Sequence, residues 1–229
     1  MSKYEYNIGD LTKPKGGLEI KGPNKLMKQI AAIVPVYGES GGNSTRVYTM
    51  DGKVFEVDRR MKTVLKKIVN YFSKDLTQLS MKYGSLLQCS QSAPLPLYSR
   101  LVLVPLKMRR PQFEKDGATG YVNICAVTEI TEPEPGMDET IKCLVHLKGG
   151  RNVPCCFSEK RTKRRLWLGK LAREYYLALH KEELDQNPGE VGGKAKAKAL
   201  ATLTEISRLL YELLREKEDI DSDEDEVVH

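Results

Sequence analysis

Residues 46–72 read RVYTMDGKVFEVDRRMKTVLKKIVNYF, and this stretch decides the fold class. Two short runs, 46–50 and 53–57, favour strands and flank Asp51-Gly52, a pair that tolerates the positive φ of a type I′ turn. Asp58 is a good helix N-cap. The apolar residues that follow fall at helical spacing and form one stripe: Met61, Val64, Leu65, Ile68, Val69 and Phe72. A hairpin that runs directly into a helix predicts an α+β fold.

The rest of the chain adds strands and two more helices to this unit. Apolar runs and turn residues predict these elements in chain order: a strand at 29–37, a helix at 75–83 that ends at Gly84, a strand at 100–106, a strand pair at 121–130 and 140–147, a strand at 152–157, and a helix from 159 to 184 capped by Ser158. The last helix has an apolar stripe of its own: Leu168, Leu171, Ala172, Tyr175, Tyr176 and Leu179. We therefore expect a mixed or antiparallel sheet with packed basic helices.

Prolines set the expected limits of three of these segments. Pro35 places the strand at 29–37 at a sheet edge or marks its end. Pro94 and Pro96 predict a loop over residues 90–99, because proline disrupts helices and central strands alike. Pro105 is expected to end the buried strand RLVLVPL at 100–106.

Composition changes along the chain predict five parts. They are a flexible basic arm at 1–28, an α+β domain at 29–184, a linker at 185–193 that contains Asn187-Pro188-Gly189, an amphipathic helix at 194–218 and an acidic tail at 219–229. The amphipathic helix is a C-terminal helical appendage to the domain. Its apolar residues Ala199, Leu203, Ile206, Leu210 and Leu213 extend over too few heptads to assert a coiled coil.

The net charge of +6 hides an uneven distribution. Residues 1–181 carry 31 Lys and Arg against 17 Asp and Glu, a net charge of +14. Residues 182–229 carry 6 against 14, a net charge of −8. A basic body with an acidic tail is typical of a protein that binds a polyanion, most often nucleic acid or an anionic membrane surface.

Several protein classes are excluded or disfavoured. The longest apolar run, Ile30–Tyr37, has 8 residues, whereas a membrane-spanning helix needs about 20. The first residues, MSKYEYNIGDLTKPKG, lack the apolar stretch of a signal peptide, so the five cysteines are expected to be reduced in a cytoplasmic protein. We find no catalytic constellation and no glycine-rich phosphate loop, and we predict neither an enzyme nor a cofactor.

The candidate binding residues are basic. Arg109, Arg110 and Lys115 lie in a loop predicted at 107–119, and Arg161, Lys163, Arg164 and Arg165 lie at a helix start, where cations oppose the helix dipole unless an anion compensates. Lys62 and Lys66 lie opposite the apolar stripe of the first helix. A solvated helix face explains one such cluster alone, but two clusters in a basic body favour nucleic acid.

Cysteine and histidine spacing raises the question of a zinc site. Cys143-x-x-His146 is followed by Cys155-Cys156. Residues three apart on a strand point to opposite faces, so Cys143 and His146 cannot easily share one ion. We expect buried free thiols that pack as small apolar groups.

The order of elements from about residue 48 to 174 resembles the ComK-like competence transcription factors of Gram-positive bacteria. An apolar strand that closes on proline leads through an Arg-Pro-Gln loop to Gly, an aromatic residue and a β-branched residue. These positions carry the resemblance: Leu101-Val102-Leu103-Val104-Pro105, Arg110-Pro111-Gln112, Gly120-Tyr121-Val122, Val127-Thr128-Glu129 and Gly149-Gly150-Arg151.

The resemblance implies a transcription factor that binds AT-rich double-stranded DNA through the minor groove as paired subunits. A homodimer or a higher homo-oligomer, located at the nucleoid in the cytoplasm, fits this expectation. A narrow AT-rich groove concentrates negative potential and attracts arginine, and Arg109 and Arg110 beside the stiff Pro111 are expected to enter it. Lysines and arginines elsewhere would contact phosphates.

Two alternatives stay open. An RNA-binding protein would stack a strand-borne Tyr121 or Phe113 on single-stranded bases. A protein-interaction factor of a mobile element would act through the amphipathic helix at 194–218 and the acidic tail.

Overall fold

The computed structural model describes residues 27–38, 41–89, 92–114 and 116–180. The strands are β1 (Ile30–Tyr37), β2 (Asn43–Thr49), β3 (Val54–Val57), β4 (Leu95–Tyr98), β5 (Leu101–Lys107), β6 (Thr119–Asn123), β7 (Val127–Thr131), β8 (Cys143–Leu147) and β9 (Arg151–Cys155). The helices are α1 (Met61–Tyr71), α2 (Leu76–Leu86) and α3 (Glu159–Leu179), with a 3-10 turn at Ile124–Ala126. The predicted α+β class is confirmed.

All described strand pairs are antiparallel, and they form two sheets. The larger sheet has the order β3-β2-β1-β6-β5-β4, and the smaller has the order β7-β8-β9. Helix α1 packs over β1 and β2, whereas α3 packs over β4 and β5. The core lies between these layers, and every residue of β5 from Leu101 to Leu106 is buried.

The boundary predicted for the basic arm at residue 28 is too late. Met27 is buried in the core beside Ile30, so at least this residue of the predicted arm belongs to the folded body. At the other end, α3 ends at Leu179 with His180 as its C-cap, before the predicted limit of 184. The linker, the amphipathic helix at 194–218 and the acidic tail lie outside the described residues.

The strand that contains Pro35 is not an edge strand. β1 lies third in the six-stranded sheet, between β2 and β6. Pro35 pairs with Thr45 of β2, while the pairing with β6 involves only Ala32 and Ile33. The missing N–H therefore falls where the strand has one neighbour, which is the condition that proline needs.

Residues 95–98 form a strand although they were predicted to be a loop. β4 is an edge strand, and its Pro96 pairs with Val102 on its one neighbour, β5. Pro105 does not end β5 either, because that strand continues to Lys107. Pro105 pairs with Tyr121 of β6 and lies beyond the last β4 partner, Leu103.

The predicted hairpin forms, but its turn is not type I′. Gly52 has φ +80° and its amide donates to the Thr49 carbonyl oxygen at 3.0 Å. Among the described residues, the non-glycine positions with positive φ are Ser73, Gln88 and Ser92, so Asp51 does not have the positive φ that type I′ requires. A Cβ on Gly52 would lie 2.5 Å from the Gly149 carbonyl oxygen, because this turn packs against the β8–β9 turn.

The apolar stripe of α1 is confirmed for Met61, Val64, Leu65, Ile68 and Val69, which are all buried. Its last predicted member, Phe72, is the half-buried C-cap that follows the helix. The N-cap is Arg60 and makes no side-chain capping bond, so the assignment of Asp58 was wrong. Helix α2 continues past Gly84 to Leu86.

The strand predicted at 121–130 is two strands in different sheets. The 3-10 turn breaks it between β6 and β7, and buried Asn123 lies at the break. Its side-chain nitrogen donates to the carbonyl oxygens of Ile30 and Arg100, both at 3.0 Å. Its side-chain oxygen accepts from the amides of Val102 at 3.3 Å and Cys125 at 3.1 Å. One side chain therefore ties together three parts of the sheet.

Helix α3 begins as predicted, because the Ser158 hydroxyl oxygen accepts from the Arg161 amide at 3.3 Å. Its buried residues overlap only partly with the predicted stripe: Thr162, Leu166, Leu168, Gly169, Ala172 and Tyr175. Gly169 allows close packing, since a Cβ there would lie 2.3 Å from Val104 Cγ2.

Candidate nucleic-acid interface

The basic loop between β5 and β6 is hydrogen-bonded to Tyr37, the last residue of β1. The Tyr37 hydroxyl accepts from the Gln112 amide and donates to Asp116 Oδ2, both at 2.7 Å. Asn43 Nδ2 donates to the other carboxylate oxygen of Asp116 at 2.6 Å. Because these bonds join residues more than 70 positions apart, they fix the loop to the sheet.

Arg109 belongs to this network. Its guanidinium carbon lies 4.1 Å from the centre of the Tyr37 ring, and its Nε donates to the Gly117 carbonyl oxygen at 2.9 Å. Its Nη2 donates to Asn43 Oδ1. Its Nη1 is buried and has no hydrogen-bond partner among the described residues. We call Tyr37, Asn43, Arg109, Gln112 and Asp116 the Tyr37 clamp.

The clamp changes the expectation for Arg109. The sequence predicts that Arg109 reaches into a DNA groove, but the folded loop uses its guanidinium to stack on Tyr37 and to hold Asn43 and Gly117. Leaving this position would break those contacts together. The structure therefore places Arg109 in a supporting role within the loop.

The electrostatics of the clamp favour a charged Asp116. Hydrogen bonds from Asn43 first, and then from Tyr37, hold the pKa of the Asp116 carboxyl below its ordinary value. Arg109 lowers this pKa further through its charge. At neutral pH the carboxylate is thus a permanent acceptor for the bonds that fix the loop.

The clamp presents two exposed side chains on the outside of the loop. Arg110 is exposed, and Phe113 is 68% exposed, the largest exposed fraction among the large apolar side chains of the described residues. The Phe113 carbonyl oxygen accepts from the Asp116 amide at 3.0 Å, so the backbone at this position is also fixed. Lys115 lies outside the described residues.

Arg110 lies near the acidic loop between β7 and β8. The pKa of Asp138 is lowered first by its hydrogen bonds with Thr140 and then by the charge of Arg110. The Thr140 amide donates to Asp138 Oδ1 at 2.8 Å. Asp138 is therefore an internal anion close to the exposed arginine of the basic loop.

The basic residues at the start of α3 are arranged around Phe157. The guanidinium carbons of Arg161 and Arg165 lie 4.2 and 5.6 Å from the centre of its ring. Arg165 also donates to the Ser92 carbonyl oxygen at 3.0 Å. Arg164 is half-buried, and Arg161 is exposed.

The prediction from the helix dipole assumed that no anion of the chain lies at this helix start. The structure places one there. Glu159 lies in the first turn of α3 and pairs with Lys163 in an i, i+4 salt bridge. An acidic residue here stabilises the helix N-terminus. Lys163 is therefore already paired with a carboxylate, and Arg161 is the more exposed arginine of this cluster.

The two basic clusters begin at adjacent points of the backbone. The Cys156 amide donates to the Lys107 carbonyl oxygen at 2.7 Å, which joins the end of β9 to the end of β5. Arg110 follows Lys107 by three residues, and Phe157 with its two arginines follows Cys156 directly. The fold thus joins, by a backbone hydrogen bond, the two segments that lead into these clusters, which are about 50 residues apart in sequence.

Lys62 and Lys66 do not belong to the helix that carries the second basic cluster. Both are exposed on α1, which packs over β1 and β2, whereas α3 packs over β4 and β5. The structure therefore places these two lysines on a different helix, over different strands, from the arginines of α3.

The sequence reasoning missed Tyr37, Asn43 and Phe157. Phe157 had a readable signal, because Arg161 and Arg165 follow it at four and eight residues, the spacing of one helical face. Tyr37 and Asn43 had none beyond their position on either side of a glycine-rich loop. Their role depends on contacts with residues 109–116, which the local pattern does not contain.

Two of the expected buried thiols, Cys143 and Cys155, pack in the core, whereas Cys156 is only half-buried. Cys143 and Cys155 are fully buried cross-strand partners, and the Thr162 hydroxyl lies 3.3 Å from each sulfur. The pKa of Cys143 is raised, first through its contact with Cys155 and then by burial. His146 instead contacts the Thr131 hydroxyl at 2.8 Å. No group of three or more metal-ligating side chains is found within the part of the chain that the structure describes.

Comparison with protein-family models, with curated proteins and with solved structures finds no match to this chain. Within residues 27–180, apart from the gaps named above, no helix has the length and apolar character needed to cross a membrane.

Proposed function

We propose that the protein is a transcriptional regulator of the ComK-like kind that binds double-stranded DNA and prefers AT-rich sites. The observation that carries this proposal is the junction of Lys107 and Cys156, from which two basic clusters extend. Residues 27–180 carry 25 Lys and Arg against 14 Asp and Glu, a net charge of +11 that favours a polyanionic partner.

The proposal assigns different tasks to the two clusters. Arg110 is exposed on a loop held by the Tyr37 clamp, which suits insertion into a narrow groove of strong negative potential. Arg161 and Arg165, held against Phe157, are suited to phosphate contacts that set the register of the protein on the duplex. Paired subunits, as the resemblance implies, would extend this contact along the DNA.

Arg110→Ala tests the groove contact, with Arg100→Ala as the control. Arg100 is an exposed arginine in the turn between β4 and β5. We expect Arg110→Ala to reduce the affinity for AT-rich duplexes more than that for GC-rich duplexes, and Arg100→Ala to change neither. Arg161→Ala should weaken binding to both duplexes equally.

Titration of fluorescent AT-rich and GC-rich duplexes at several salt concentrations provides the measurement. If the wild type binds neither duplex at low salt, the proposed function is wrong. Equal affinity for the two duplexes would remove the minor-groove part and leave sequence-independent binding.

The exposure of Phe113 favours a second candidate, an RNA-binding protein. An exposed aromatic ring in a basic loop also suits stacking on unpaired bases. Tyr121 is the weaker candidate for this role, because its side chain is half-buried on β6, and this burial also raises its pKa. Phe113 lies in a loop and not on a strand, as the RNA-binding alternative assumed. Competition between duplex DNA and single-stranded RNA for the same protein distinguishes the two functions.

A further inference from the structure

We propose that Phe113 is an apolar wedge that enters a base step of bound DNA and bends the duplex. This inference rests on the proposed function and adds a contact that does not involve charge. It concerns the tip of the loop held by the Tyr37 clamp.

Phe113 differs from the other three phenylalanines of the chain in its exposure. Phe55 is buried, Phe72 stacks on Tyr98 with ring centres 5.8 Å apart, and Phe157 lies under two guanidinium groups. Phe113 alone is left 68% exposed. Transfer of an aromatic ring out of water lowers the free energy, so binding of a partner that covers Phe113 is favoured.

Hydrogen bonds fix the backbone on both sides of the Phe113 ring. The amide of the preceding residue, Gln112, is bound to the Tyr37 hydroxyl at 2.7 Å. The Phe113 carbonyl oxygen accepts from Asp116, whose carboxylate is held by Tyr37 and Asn43. A wedge has to resist the force that closes a base stack, and a loop fixed on both sides of the ring meets that requirement.

The Phe113 ring lies next to positive charge. Arg110 lies three residues before Phe113 in the same loop and is exposed, so a polyanion drawn to the loop meets the ring at once. Proteins that bind the minor groove commonly combine basic side chains with an inserted apolar residue that kinks the duplex. Flexible pyrimidine–purine steps such as TA, frequent in AT-rich DNA, are the steps that open most easily.

The test compares Phe113→Ala with Met81→Ala and Phe113→Leu. Met81 lies on α2 and is 64% exposed, so it matches Phe113 as an exposed apolar residue away from the loop. Leucine keeps an apolar wedge. Because Phe113 and Met81 are both exposed, all three variants are expected to fold. An unchanged midpoint of urea unfolding would verify this.

Two readouts separate insertion from simple affinity. The distance between dyes at the ends of an AT-rich duplex reports bending, and 2-aminopurine placed at a TA step reports unstacking. We expect the wild type and Phe113→Leu to bend the duplex and raise the 2-aminopurine fluorescence. Phe113→Ala should lose both signals and bind about tenfold more weakly, with an unchanged salt slope because no cation is removed.

The possible outcomes distinguish the wedge from the proposed function. If the wild type binds the duplex but Phe113→Ala binds and bends it equally well, the wedge is wrong and DNA binding stands. If the wild type binds no duplex, both fail. If Phe113→Ala loses binding to single-stranded RNA only, the ring stacks on unpaired bases and the duplex wedge is overturned.

Discussion

Replacing Tyr37 with phenylalanine removes one oxygen atom from the centre of the clamp. That hydroxyl accepts from the Gln112 amide and donates to Asp116, both at 2.7 Å. The ring on which Arg109 stacks stays in place. The substitution therefore separates the hydrogen bonds of the clamp from its cation–π contact.

The magnitude follows from the number of lost bonds. A hydrogen bond between neutral groups contributes about 0.5–1.5 kcal/mol, so the bond to the Gln112 amide supplies about 1 kcal/mol of loop ordering. In the variant, DNA binding has to supply this ordering, and about 1 kcal/mol corresponds to a roughly fivefold weaker affinity. Loss of the bond to Asp116 weakens binding further.

Asp116 gives this prediction a pH dependence. Its pKa is depressed in the folded protein, so its contribution is fully present above the ordinary carboxyl pKa and is lost as pH falls through the folded-state value. We expect the stability difference between the wild type and Tyr37→Phe to be constant near neutral pH. It should shrink below about pH 4, where the carboxylate becomes protonated.

Hydrogen exchange of the Gln112 amide and titration of an AT-rich duplex measure the two effects. Tyr98→Phe is the control, because Tyr98 is a half-buried tyrosine on β4, at the far edge of the sheet. Tyr37→Phe should speed exchange at Gln112 and weaken binding, and Tyr98→Phe should do neither. Unchanged exchange and affinity in Tyr37→Phe would refute the clamp as the support of the loop.

Three further predictions concern the core and the edge of the site. Asn123→Leu removes four hydrogen bonds in the buried sheet and should lower the free energy of unfolding by about 4 kcal/mol or more. Urea unfolding measures this loss, and a loss under about 1 kcal/mol would contradict the prediction. Gly169→Ala should destabilise the protein, because overpacking against Val104 costs about 1–3 kcal/mol and outweighs the gain in helix propensity of about 1 kcal/mol. Adding Val104→Ala should relieve part of this strain, and a more stable single variant would show that the helix contact is loose. Asp138→Asn removes the anion near Arg110 and should strengthen duplex binding at low salt. The affinity difference from the wild type should fade at high salt. Equal affinities at low salt would contradict a contact between Arg110 and DNA.

Elements defined by local pattern were predictable from the sequence. The α1 stripe from Met61 to Val69 follows the helical period, and it is buried as expected. The hairpin around Gly52 follows from its turn residues. In both cases the information lies within a few neighbouring residues, so no knowledge of the sheet was needed.

The position of a strand in the sheet was not predictable, because it depends on distant partners. Pro35 indicated either a sheet edge or the end of its strand. β1 is an interior strand, but it ends at Tyr37, and Pro35 lies beyond its pairing with β6. Pro96 indicated a loop, yet β4 pairs with β5 along its one bonded side. Proline excludes a hydrogen bond on one side only, and the sequence does not say which side has a neighbour.

In the candidate site, too, the sequence predicted some residues and missed others. The basic residues were visible in the sequence, including Arg110 and Arg161. The support of the loop was not visible, because Tyr37 and Asp116 are 79 positions apart. As a result the sequence assigned Arg109 to the DNA, while the fold uses it to stack on Tyr37.

The salt dependence of duplex affinity tests most directly whether the two basic clusters act on one duplex. The wild-type protein and the double variant Arg110→Ala, Arg161→Ala would be titrated over a range of salt concentrations. Each cation that neutralises DNA charge contributes about 0.9 to the slope of log affinity against log salt, whether it lies in the groove, as proposed for Arg110, or at a phosphate, as proposed for Arg161. The double variant should therefore have a slope shallower by about 2. An identical slope in the two proteins, or no duplex binding by the wild type at low salt, would contradict a shared DNA-binding face.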